Sequence, residues 1–311
     1  MDFSAVSDPQ TRAYLERLAA DTSPKPATVA EARQAMLDTA LERSGPPEPV
    51  AAVRDVVIDG PGGPLPARVY APTAAPAPGV CLYLHGGGFV VGSVEVYDSP
   101  CRRLANRTGW VVVSVDYRLA PEHPFPAAVE DADAALAWVA ERRAELGAPD
   151  GLLAVAGDSA GGALAAVAAR HARDAGLDLS LQVLIYPVTD AACDSPSYGH
   201  YGRGYDLDAE DMRRDWERYL AGADPAHPDA SPLRAPDLAG VAPALVILAE
   251  LDPLHDEGLA YAGRLRDAGV DVAVRDYAGQ IHGFFRASAL FDRADDALDD
   301  IATALKGIAG R

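Results

Sequence analysis

Leu152-Leu-Ala-Val-Ala-Gly-Asp-Ser-Ala-Gly-Gly-Ala-Leu164 passes from a strand pattern to a helix pattern across one G-x-S-x-G pentapeptide, Gly157 to Gly161. The residues before it are apolar, and the Ala-rich run from Ala163 to Arg173 reads as a helix. A serine at such a strand-to-helix turn sits on strained backbone that only small neighbours tolerate. That strain lifts Oγ of Ser159 to where a histidine and a substrate carbonyl can reach it. The helix N-terminus adds positive potential beneath an oxyanion forming there. A Gly-rich turn with an incidental serine would explain the pentapeptide but not its placement between strand and helix. A phosphate-binding loop is disfavoured, because the Lys-Ser/Thr ending of G-x-x-x-x-G-K-[ST] is absent.

Working outward, apolar β-branched runs recur at Val53–Ile58, Ala67–Tyr70, Val80–Leu84, Trp110–Val115, Leu152–Ala156, Leu181–Tyr186, Ala244–Leu248 and Val270–Val274. After the third they are separated mainly by helical stretches, which predicts an α/β fold with a mostly parallel sheet and helices on both faces. Runs such as Trp-Val-Val-Val-Ser-Val are apolar at nearly every position, as strands covered on both sides must be. Residues 9–20 and 28–44 read as two N-terminal helices capped by Asp8 and Thr28, and Gly45-Pro46-Pro47 stops the second. Residues 188–240 break the rhythm with turn-formers, aromatics and a charged helix at Asp208–Leu220, and read as an insertion over the sheet.

Upstream of the serine, His85-Gly86-Gly87-Gly88 follows directly on the run Val80–Leu84. A glycine run there lets backbone N–H groups approach a reacting carbonyl, and the expected oxyanion donors are the N–H groups of Gly87, Gly88 and Ala160. At a serine elbow of this kind the acid and then the histidine follow in the chain. His282 fits as the base, in the loop Ala278-Gly-Gln-Ile-His-Gly-Phe284 after the last run; the other six histidines have weaker positions. Asp252 is the expected acid, at the carboxyl end of the run Ala244–Leu248 and stiffened by Pro253, with Glu250 and Asp256 as competitors. Tyr198, Tyr201, Leu207, Met212, Trp216 and Phe285 are as suited to packing as to lining a pocket.

Composition narrows the partners. Of 311 residues 49% are hydrophobic and 23% charged, which is ordinary globular usage. The formal charge of −19 opposes binding to phosphate backbones and anionic lipid surfaces, so nucleic acid and membrane are not expected partners. No apolar run reaches the roughly 18 residues of a membrane span, and the start lacks a signal-peptide pattern, which points to the cytoplasm. Cys81, Cys101 and Cys193 are odd in number and widely spaced, which argues for reduced thiols and against a Cys-ligated metal. No metal or cofactor is called for. The run Val270–Val274 is expected at a sheet edge, where two copies could pair as a homodimer.

Together the motifs resemble the hormone-sensitive-lipase-like group of α/β-hydrolases, the bacterial family IV esterases. They are His-Gly-Gly-Gly-Phe (85–89), Asp-Tyr-Arg-Leu-Ala-Pro-Glu-His-Pro-Phe-Pro-Ala-Ala (116–128), Gly-Asp-Ser-Ala-Gly-Gly (157–162), Asp-Pro-Leu-His-Asp-Glu-Gly (252–258) and His-Gly-Phe (282–284). The resemblance implies an eight-stranded α/β-hydrolase fold and a Ser159–Asp252–His282 triad with Gly87, Gly88 and Ala160 as oxyanion donors. It also implies a helical cap from residues 1–45 and 188–225 over catalytic segments 46–187 and 226–311. The implied substrate is a small carboxylic ester of short to medium acyl chain. A lactone or amide substrate, or a receptor on the same fold, stays open.

Overall fold

The computed structural model describes residues 2–74, 76–149 and 151–309. Among these residues eight strands are present: β1 (Ala52–Gly60), β2 (Gly63–Ala71), β3 (Gly79–Leu84), β4 (Val111–Val115), β5 (Leu152–Asp158), β6 (Leu181–Ile185), β7 (Ala244–Leu251) and β8 (Val272–Ile281). They form one sheet in the order β1-β2-β4-β3-β5-β6-β7-β8. β2 runs antiparallel to β1 and β4, and every other pair is parallel.

The helices are α1 (Pro9–Ala20), α2 (Val29–Asp38), α3 (Ala40–Ser44), α4 (Asp98–Thr108), α5 (Ala127–Glu141), α6 (Ala160–Asp174), α7 (Pro196–Tyr201), α8 (Ala209–Leu220), α9 (His255–Asp267) and α10 (Arg293–Ala309). Alternate side chains of a strand point to opposite faces, so one apolar run serves two cores. Val80, Leu82 and Leu84 of β3 join a core with α5, α6 and α9, whereas Cys81 and Tyr83 join another with α1, α4 and α10. This two-sided demand is why β3 to β7 carry so few polar residues.

Two local expectations need correction. The helix expected over 28–44 divides at Thr39, whose hydroxyl bonds back to the carbonyl of Ala35 at 2.9 Å; such back-bonding bends helices. The first part begins as foreseen, with Thr28 and Glu31 forming a reciprocal capping box. The last strand does not end at Val274 but runs to Ile281, taking in residues 278–281 that read as loop. Gly279 made that stretch look like a turn; it has φ +73°, and its N–H is held at 2.6 Å by Glu250 beside an irregularity in the β7 pairing.

The N-terminal helices and the 188–240 segment meet through polar contacts. Tyr14 donates to Asp206 at 2.9 Å, Arg43 pairs with Asp206 at 2.7 Å, and Lys25 reaches Asp208 and Asp211 at 2.9 and 3.1 Å. Met212, Trp216 and Tyr219 on α8 face inward and join the core of α5 and α6.

Candidate active site

Ser159 stands between β5 and α6 with φ 56° and ψ −121°, a conformation whose strain costs on the order of 1–3 kcal/mol. Its neighbours must therefore be small. A Cβ on Gly157 would collide with the backbone of Gly161, and one on Gly161 with the carbonyls of Leu84 and His85. The elbow is also tied to the sheet: the Ser159 N–H donates to the carbonyl of Ile185 at 2.9 Å, and the Ser159 carbonyl accepts from Val188 at 3.2 Å. The loop after β6 is fixed in turn by Glu257, which is 3% exposed and accepts the N–H groups of Thr189 and Asp190 at 2.6 and 3.3 Å. Burial pushes its carboxyl up to about 8.

The three side chains singled out in the sequence come together across 123 residues of chain. His282 Nε2 lies 2.9 Å from Ser159 Oγ, and His282 Nδ1 lies 2.7 Å from Asp252 Oδ2. His282 follows β8 directly, and Gly283 at φ +79° turns the chain away after it. Asp252 is fully buried after β7, and its other oxygen accepts the Leu254 N–H at 2.9 Å. The competing carboxylates are engaged elsewhere, Glu250 with Gly279 and Asp256 with Ser197 and His255. Tyr186, at φ 34°, lays its ring 4.6 Å from the His282 imidazole.

Gly87 and Gly88 line the same cavity as Ser159, at φ 127° and 60°. Among the described residues the N–H groups of Gly87, Gly88 and Ala160 make no hydrogen bond to a protein acceptor. What holds this loop was not read from the sequence. Asp158, 2% exposed, accepts Gly86 N–H and Tyr83 OH at 2.9 Å each and Tyr97 OH at 2.8 Å. The residue before the nucleophile thus fastens the glycine loop to the elbow. His85 belongs to the same scaffold: its ring stacks on Tyr117 at 4.3 Å, its Nδ1 meets the Gly86 carbonyl at 2.9 Å, and burial pushes its pKa down.

A cavity of about 890 Å³ opens over Ser159 and is walled by residues of α1, α2, α3 and α8. Of the six ambiguous side chains, Leu207 and Met212 line it. Tyr198, Trp216 and Phe285 are buried in the cores instead, and Tyr201 packs on Tyr205. Asp215 also lines it; its carboxylate lies against Gly88, and burial pushes its pKa up to about 6. No helix among the described residues is long and apolar enough to cross a membrane, and none of their side chains form a metal-binding cluster.

Comparison with known proteins agrees with this architecture. A family model described as the alpha/beta hydrolase fold matches residues 81–286. The carboxylic ester hydrolase LipN of Mycobacterium tuberculosis is 43% identical over 264 residues, which cover 82% of this chain and 70% of that protein. An ethyl acetate hydrolase of Pseudomonas putida is 43% identical over 252 residues, 79% of each chain. The solved esterase of Pyrobaculum calidifontis superposes with a TM-score of 0.89 at 44% identity, covering 97% of this chain and 99% of the other. The family model spans more than half of the sequence, and relatives of this similarity run along most of it. This protein therefore belongs to the α/β-hydrolase family and, within it, to the hormone-sensitive-lipase-like esterases.

Proposed function

We propose that this chain hydrolyses short- to medium-chain carboxylic esters through an acyl-enzyme on Ser159. The observation that carries the reading is the unbroken contact from Ser159 Oγ through His282 to buried Asp252. His282 takes the proton as Oγ attacks the ester carbonyl, and Asp252 holds the imidazole tautomer and stabilises the imidazolium. The oxyanion forms against the free N–H groups of Gly87, Gly88 and Ala160. The alcohol leaves with the proton from His282, and water repeats the sequence on the acyl-enzyme.

The N-terminal helices and the 188–225 segment act as a cap that closes the cavity and limits the acyl chain. Their side chains on its walls support this role. A p-nitrophenyl ester series is expected to give its highest kcat/KM between butyrate and octanoate and to fall steeply at palmitate. A maximum at palmitate would contradict the cap assignment.

Pairing of two copies through β8 extends the reading. β8 lies at one edge of the sheet, with Arg275 and Asp276 among its exposed residues. Sedimentation at micromolar concentration is expected to show a dimer; a monomer alone would remove this part.

A further inference from the structure

Of the charged groups in the cavity that take no part in the mechanism above, Asp215 lies against the glycine loop. Asp215 lies on the inward side of α8, and its side chain is 24% exposed. Its Oδ1 pairs with Arg218 one turn along the same helix at 3.0 Å. Its Oδ2 makes no hydrogen bond among the described residues and lies so close to Gly88 that a Cβ there would collide with it. A carboxylate oxygen without a hydrogen-bond partner thus borders the loop that offers N–H groups to the ester carbonyl. Several other charged groups line the wall. Arg43 and Asp206 pair with each other, Arg17 lies over the Tyr14 ring, Asp158 holds Gly86 and Tyr97, and Arg286, whose Nη1 is buried without a hydrogen-bond partner among the described residues, sits beside Gly283.

We propose that Asp215 is a specificity-determining residue that makes this wall a charge filter. It favours esters whose acyl group is neutral or cationic and rejects those carrying a second carboxylate, such as half-esters of dicarboxylic acids. This rests on the esterase reading above. The physical reason is that two like charges held a few ångströms apart in a partly desolvated cleft repel strongly, whereas a cation there gains the same attraction. A neutral acyl chain meets neither effect and packs against Leu207 and Met212 nearby on the wall.

The test compares three p-nitrophenyl esters of similar length near pH 8, where Asp215 is ionised: the neutral pentanoate, the anionic hemisuccinate and the cationic 4-(trimethylammonio)butyrate. In the wild type, kcat/KM for the hemisuccinate is expected to be lower than for the pentanoate by about tenfold or more. Asp215→Asn is expected to narrow that gap by about tenfold and to lower the standing of the cationic ester relative to the neutral one. Asp215→Ser serves if the Asn variant does not fold, and Asp215→Glu is expected to retain the discrimination. A wild type that takes the hemisuccinate as readily as the pentanoate overturns the filter without any variant, as do neutral variants that leave both ratios unchanged. Failure of the wild type on all three esters would instead overturn the esterase reading.

Discussion

Ser159→Ala is expected to lower kcat/KM for p-nitrophenyl butyrate by roughly 10⁴- to 10⁶-fold, with a melting temperature close to that of the wild type. The loss is large because the hydroxyl is the group that forms the acyl bond, and among the described residues no other serine has His282 within hydrogen-bond distance. Stability should hold because Oγ is not what fixes the elbow. Its anchors are the backbone hydrogen bonds that Ser159 donates to Ile185 and accepts from Val188, and the close packing of Gly157 and Gly161 against neighbouring carbonyls. Activity loss together with unfolding would show that the side chain holds the turn, and retained activity would remove Ser159 from the mechanism.

Asp252→Asn is expected to cost about 10⁴-fold in kcat while leaving the fold intact. The substitution preserves shape, and an amide oxygen can still accept the Leu254 N–H that now goes to Oδ1. In that orientation the amide NH₂ faces His282 Nδ1 in place of an acceptor, so the proton moves to Nε2 and the base that should receive the serine proton is already protonated. Because Asp252 is fully buried, the variant also leaves the imidazolium of the transition state without its counter-charge. The same residue therefore governs tautomer and charge. A drop of less than tenfold in stopped-assay kcat would mean that another acceptor, Glu250 or Asp256 being nearest in sequence, orients His282.

The positions of the strands along the chain and the elbow were legible in the sequence because each is written locally. Two-sided burial leaves near-continuous apolar runs, and the Ser159 turn leaves small residues at Gly157 and Gly161 that steric collision demands. Asp252 and His282 were read through chain order and the family resemblance, since both lie at the carboxyl ends of successive strands. The supports were not. Asp158 occupies an x position of the G-x-S-x-G pentapeptide, and only the three-dimensional approach of Tyr83, Tyr97 and Gly86 shows what its carboxylate does. Asp215 is one of several acids in the charged helix at Asp208–Leu220 and was not singled out in the sequence. Met212, Trp216 and Tyr219 bury one face of α8, yet no spacing rule says that a carboxylate one residue from Trp216 meets Gly88. Gly279 misled for a related reason, since a positive φ inside an irregular strand and one in a turn look alike in sequence.

The central claim is that Ser159 is an activated nucleophile, and active-site labelling tests it most directly. The folded protein is treated with an alkyl fluorophosphonate and analysed by intact mass and peptide mapping. One adduct per chain is expected, on the peptide carrying Ser159, with none in Ser159→Ala treated alongside. An unlabelled wild-type protein that is demonstrably folded, or an adduct on a different residue, would contradict the account.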